Sequence, residues 1–205
     1  MERNEALKLL AELEGRNLHE LAAHYEVTVQ RDGRQNKGWA GHVCERHLGL
    51  PINSAQSPNF GSWELKSFPV KSKGSRVVAK ETMAITMIDP YNVLATPFEN
   101  SHLLSKLRKA VIVVRNVGTH FLEPSHIHAI LPMDLSEEDM EVVRQDYEDV
   151  RSTIRDYGFN ALTGKMGRYV QPRTKGPGHG SISRAFYART GFLNVLLEKA
   201  GKDRA

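Results

Sequence analysis

At 205 residues and 23.1 kDa the chain fits one domain, or one domain split by a cleft. Hydrophobic residues at 40% and charged residues at 25% exclude a disordered or collagenous chain. The longest aliphatic run, Ala110–Val114, is far short of the ~20 residues of a membrane span. MERNEALK lacks the apolar core of a secretory signal, and a lone Cys44 excludes an intrachain disulfide and a multi-cysteine zinc site. A cytoplasmic protein is expected.

The net charge of +4 is unevenly spread: Asp134–Asp156 carries 3 basic and 9 acidic residues, while Tyr157–Ala205 carries 9 and 2. Lys66, Lys71, Lys73, Arg76 and Lys80 lie in a stretch with no acid. Clustered Lys and Arg suit a polyanion such as nucleic acid.

In chain order, Ala6, Leu7, Leu9, Leu10 and Leu13 recur at helical spacing, predicting a helix over Asn4–Glu14. Gly15 ends it, and Asn17 caps a second helix to about Tyr25. Arg31–Lys37 reads as a polar loop. Trp39, Val43 and Leu48 share one face of a third helix, Gly38–Leu48, and Asn53–Gly61 reads as an irregular connection. Trp63–Val70 and Thr82–Ile88 read as strands, joined by a basic loop Lys71–Lys80 and expected to pair antiparallel. Asn100–Arg108 is a predicted helix, Ala110–Arg115 a strand buried on both faces, and His126–Leu131 a further strand. Ser136, with Asp139 three residues on, opens a long acidic helix to about Tyr157. Tyr169–Gln171 and Arg184–Ala188 are predicted strands around the Gly/Pro loop Lys175–Gly180, and Gly191–Ala200 is the last helix. The pattern is mixed α/β.

The stretch most informative about function is SPNFGSWELK, residues 57–66. Residues two apart on a strand share a face, so Glu64 and Lys66 emerge together with Leu65 turned to the core. An acid and a cation on a rigid strand, after a polar loop, is a layout suited to metal-dependent phosphodiester hydrolysis. The carboxylate holds a hard divalent ion, the ion lowers the pKa of a bound water, and the lysine offsets charge on the phosphate. An exposed ion pair of no function would leave the same short pattern.

Longer segments narrow the reading. NKGWAGHVCERHLGL, SPNFGSWELKSFPVKSKG, KETMAITMIDP and FENSHLLSKLRKAVIVV resemble, in this order, consecutive blocks of the MutH family. These are DNA endonucleases of the PD-(D/E)xK superfamily, comprising a mismatch-repair nicking enzyme and related GATC-cutting restriction enzymes. EGRNLHELAAHY resembles the family's opening helices, and GRYVQPRTK followed by RAFYARTGFLNVLL its closing recognition segment. The resemblance implies a restriction-endonuclease-like α/β fold, with a central mixed sheet flanked by helices and two lobes around a DNA cleft. It implies a single domain, 1–205, whose segment 157–205 reads the DNA.

By the same resemblance Glu64 and Lys66 take the metal-binding carboxylate and the catalytic lysine, with Leu65 between them a further metal position. Glu45 takes an additional acidic position, Lys106 that of a lysine near the scissile phosphate, and Lys37 that of a DNA-facing lysine. Arg173 and Lys175 fall where the family reads base edges, and Tyr187 on another recognition position. Bidentate Arg to guanine is the commonest specific contact of that kind. Thr174 departs from the expected proline. Lys71 and Lys73, in the acid-free stretch, are further DNA-binding candidates. Asn59 stands where the family has a metal-bridging aspartate. An amide brings no charge, so metal affinity should fall and hydrolysis largely stop; the chain reads as an Asp-to-Asn inactivated variant of an active enzyme.

The implied cofactor is Mg2+, with Mn2+ able to substitute, and the implied partner is double-stranded DNA carrying a short specific site, bound as monomer or dimer. TMAITMIDP and the Arg-Thr-Lys segment diverge from the repair enzyme, which favours a type II restriction endonuclease. The alternatives are a mismatch-repair enzyme that nicks hemimethylated sites with a MutL-type activator, and a sequence-specific DNA-binding protein without catalysis. Other groups are set aside. His126 and His128 lack a third ligand, and Cys44 with His47 lacks a residue to orient the base. The acidic helix reads as a solvated face turned away from DNA, and Lys175–Gly180 lacks the ending of a phosphate loop.

Overall fold

The computed structural model describes residues 1–31, 34–36, 38–49, 61–118, 123–176 and 182–203. Three short helices open the chain: α1 (Arg3–Ala11), α2 (Leu18–His24) and α3 (Trp39–His47). Asn17 caps α2 as expected, its side chain accepting from the His19 N–H at 3.0 Å. The segment expected to be a loop between α2 and α3 instead holds a minimal hairpin, β1 (Gln30–Arg31) against β2 (Arg34–Gln35).

The long strand β3 (Glu64–Lys73) turns back as β4 (Arg76–Ala79). The basic stretch expected to be a loop is therefore mostly strand. Lys73 pairs with Arg76, and only Gly74 and Ser75 turn the chain, Gly74 at a φ of +63° that favours glycine. The expected antiparallel pairing of the two predicted strands does not occur. β3 pairs antiparallel with β4 and parallel with β6 (Lys109–Asn116), whereas β5 (Met83–Ile88) leaves for another sheet. The physical reason is that a tight turn inside the basic stretch supplies β3 with a nearer partner.

Asp89 caps α4 (Pro90–Ala95), accepting from the N–H groups of Tyr91 and Asn92, with proline at the first turn. Sequence periodicity missed this helix because it is short. Ser101 caps α5 (His102–Leu107), accepting from the Leu104 N–H at 3.1 Å. Strand β7 (His126–Asp134) follows β6 antiparallel, completing a four-stranded mixed sheet in the order β4-β3-β6-β7. The chain then forms α6 (Glu137–Tyr157), β8 (Val170–Thr174), β9 (Arg184–Ala188) and α7 (Thr190–Lys199). Strands β8 and β9 join the earlier β5 in a second, antiparallel sheet, β5-β9-β8.

Alternation along β6 decides how these pieces pack. Val111 and Val113 join Trp63, Leu65 and the apolar residues of α1–α3 in one core. Ala110, Ile112 and Val114 join Phe68, α5, α6, α7 and the second sheet in another. Residues Ala110 to Val114 are all 0% exposed, as a strand covered on both faces requires. Full burial of such a side chain is worth about 1.5–3 kcal/mol. The expected mixed α/β architecture, with a central mixed sheet flanked by helices, is what is found. Among the described residues no helix is long and apolar enough to cross a membrane.

Candidate functional site

Strands β3 and β6 run parallel with Glu64 opposite Ala110, so both start at the same end of the sheet. Helix α5 ends two residues before β6 begins. Its last turn therefore lies at that end and brings Lys106 to Glu64. Glu64 is 0% exposed. Lys66 Nζ lies 2.7 Å from Glu64 Oε1, and Lys106 Nζ donates to the same oxygen at 3.2 Å. Leu65 is buried on the opposite face. The two side chains predicted to emerge together do so, in a nearly dry setting.

Burial, the largest influence on Lys66, holds its pKa below the usual lysine value against the pull of Glu64, and the positive charges of Lys106 and Lys175 push the same way as burial. Lys175, just beyond the end of β8, is thus close enough to Lys66 to be felt electrostatically. Lys66 and Lys106 thus bring two ammonium groups to one carboxylate, positive charge suited to a phosphodiester. Glu45, on α3, is buried at 6% exposure. Its helix contributes Trp39, Ala40, Val43 and Cys44 to the core that Leu65 enters.

A second group assembles on the smaller sheet. The Arg173 guanidinium lies 5.7 Å from the Tyr187 ring centroid, and its Nη1 donates to Thr82 Oγ1 at 2.8 Å. Burial raises the Tyr187 phenol pKa, with Arg173 opposing. The turn leading into β8 is held from outside. Asp146 of α6 is buried and accepts from the N–H groups of Arg168, Tyr169 and Val170 at 2.6, 2.7 and 2.7 Å. Arg189 donates to the carbonyls of Gly164 and Met166 and to Gln171 Oε1. Gly167 sits at φ +74°, and a Cβ there would lie 1.8 Å from the Val170 carbonyl oxygen.

Two of the predicted positions, Asn59 and Lys37, lie outside the described residues. Lys71 and Lys73 are exposed, but do not join the cluster. Seven and nine residues along an extended strand place them roughly 23 and 30 Å from Glu64. Thr82, Asp146 and Arg189 escaped sequence reasoning, because nothing local marks a threonine, a helical acid or a strand-end arginine as partners of a distant turn. The acidic helix needs correction too. It is not simply a solvated face, since Asp146 is buried in the turn and Asp139 accepts from Lys199 at 2.6 Å.

The groups set aside have other engagements. Cys44 is buried, and burial together with the neighbouring Glu45 pushes its thiol up to about 12, so it stays protonated near neutral pH. His47 donates through Nε2 to the Leu9 carbonyl and accepts at Nδ1 from the Tyr25 hydroxyl. His128 donates to the Lys202 carbonyl.

Residues 48–146 match the family model for the DNA mismatch repair enzyme MutH. Over 96% of its length the chain is 24% identical to the DNA mismatch repair protein MutH of Shewanella sp. (strain MR-7), covering 94% of that protein. It is 27% identical to the MutH protein of Shewanella sp. (strain MR-4), again with 96% and 94% covered. Against the MutH protein of Vibrio vulnificus (strain YJ016) it is 26% identical, with 96% and 92% covered.

Proposed function

The chain belongs to the MutH-type family of DNA endonucleases, and on that premise we propose that its chemistry is divalent-metal-dependent hydrolysis of a phosphodiester at a short site in double-stranded DNA. The observation that carries the reading is the Glu64 carboxylate, bonded by Lys66 at 2.7 Å and Lys106 at 3.2 Å at the mouth of a buried parallel strand pair. In this reading Lys66 steadies the attacking oxygen and Lys106 and Lys175 offset charge on the phosphate. The preorganised ammonium groups stabilise negative charge as it develops.

Magnesium, or manganese in its place, fits the donor chemistry: the Glu64 carboxylate, the Leu65 carbonyl, Glu45 and the Asn59 amide offer oxygen, the preferred ligand of hard cations. When bound it would polarise the phosphate and acidify a water. The remaining work falls to this chain. Buried walls exclude water from Glu64, Lys66 holds a proton donor beside the reacting phosphate, and Arg173, Lys175 and Tyr187 choose the site.

Asn59 contributes no charge to that set, so the chain as it stands is read as an inactivated variant. With Asn59→Asp and magnesium, plasmid DNA should be cut at defined positions; a revertant inert on unmethylated, hemimethylated and methylated plasmid overturns the nuclease reading. Cutting of both strands is the primary expectation, from the divergence of TMAITMIDP and Arg173-Thr-Lys175 from the repair enzyme. The names of the relatives favour a second reading, a single nick at hemimethylated sites stimulated by a MutL-type partner. Mapping the ends from the same digest separates the two. A revertant that binds one sequence tightly and never cuts would instead select a binding protein.

A further inference from the structure

Thr82 immediately precedes β5, and Arg173 reaches it from β8, the far strand of that sheet. Between them lies β9, whose Tyr187 ring sits under the guanidinium. Arginine has long, rotamer-rich side-chain freedom, and a planar fork of donors that discriminates bases only when its plane is fixed. The Tyr187 ring lies within cation–π range of the guanidinium, 5.7 Å from its central carbon to the ring centroid. A ring contact alone leaves the guanidinium free to turn, and a hydrogen bond at one end of the fork restrains it. Thr82 Oγ1 takes that bond from Nη1 at 2.8 Å. The guanidinium carries five N–H donors in all, so one bond to threonine leaves most of the fork for a base edge.

We propose that Thr82 is a positioning residue for DNA recognition: its hydroxyl, together with the Tyr187 ring, holds the Arg173 guanidinium in the orientation that reads a guanine edge. The proposal rests on the reading of Arg173 as a base-contacting residue, and extends it to a residue that touches no DNA. Thr82 works through geometry. It should affect discrimination between sequences while leaving phosphate-driven, nonspecific affinity alone, because that affinity comes from charge.

The test enriches a randomised duplex pool on the wild-type chain with EDTA present, so that nothing is cut. Affinities for the enriched duplex and for a scrambled duplex of equal length are then measured for the wild type, Thr82→Val, Thr82→Ser and Arg173→Ala. Thr82→Val keeps the shape of the side chain and removes the hydroxyl. It should lower the specific-to-scrambled affinity ratio about fivefold, the worth of one ordinary hydrogen bond, with scrambled-duplex affinity unchanged. Thr82→Ser should restore the ratio, and Arg173→Ala should collapse it. If Arg173→Ala collapses the ratio while Thr82→Val matches the wild type, or weakens both duplexes alike, the proposal fails and the Arg173 reading stands. Failure of Thr82→Ser to restore the ratio also overturns the proposal. If Arg173→Ala keeps the ratio, or no sequence is enriched, the Arg173 reading itself falls and the proposal with it.

Discussion

Glu64 is a carboxylate held in a nearly dry site by two ammonium groups on one oxygen. Removing one partner from a buried ionic group leaves charge uncompensated and costs about 3–5 kcal/mol. Glu64→Gln should therefore lower unfolding free energy by about 3 kcal/mol in urea titrations, since Lys66 and Lys106 would be left facing an amide. In the Asn59→Asp background it should also abolish cleavage. A stability change below about 0.5 kcal/mol, the range of ordinary surface substitutions, would show that the three charges do not form a buried cluster. The residue pattern was readable here: Glu and Lys two apart on a strand share a face by the pleat alone. That Lys106 completes the cluster was available only through the resemblance, because forty residues of chain separate it from Lys66.

At the scale of elements, strand β8 is positioned by α6. Asp146 satisfies three successive N–H groups of the turn before β8, and Arg189 satisfies carbonyls on its other side. Three bonds to one buried carboxylate make its loss expensive, about 3 kcal/mol or more for Asp146→Ala. For a chain of this size that corresponds to a fall in Tm of roughly 10 °C, whereas Glu141→Ala on the exposed side of the same helix should stay within a degree or two. Equal Tm values for the two variants would remove Asp146 from the support of β8. In the sequence, Asp146 is one of many acids on an acidic helix, and its turn at 168–170 lies over twenty residues away. The capping pattern located the start of α6 well, Ser136 accepting from the Asp139 N–H as it requires. It could not say which acids point inward to a polar partner, because a local cap carries no information about backbone N–H groups elsewhere.

Over the whole molecule, charge is segregated along the chain and then folded together. The acidic stretch 134–156 lies within and beside α6, and the basic stretch 157–205 supplies Arg173 on β8 and Lys175 just beyond it. Binding driven by phosphate contacts weakens linearly in log affinity against log salt. Lys175→Ala should reduce that slope by about one unit, the share of one phosphate contact. Lys71→Ala, roughly 23 Å along the strand, should leave the slope unchanged. Equal slopes for the wild type and Lys175→Ala would remove Lys175 from the DNA interface.

By itself the sequence determined the α/β class, the doubly buried strand Ala110–Arg115, most helices, the caps at Asn17 and Ser136, and the shared face of Glu64 and Lys66. All of these follow from local periodicity and from short-range backbone hydrogen bonding. Only the tertiary structure decided that β5 pairs with β9 instead of β3, that Lys106 reaches the Glu64 carboxylate, and that Thr82 meets Arg173. Those outcomes depend on contacts between segments tens of residues apart, where strand register and two-faced burial are settled by how all the layers pack at once.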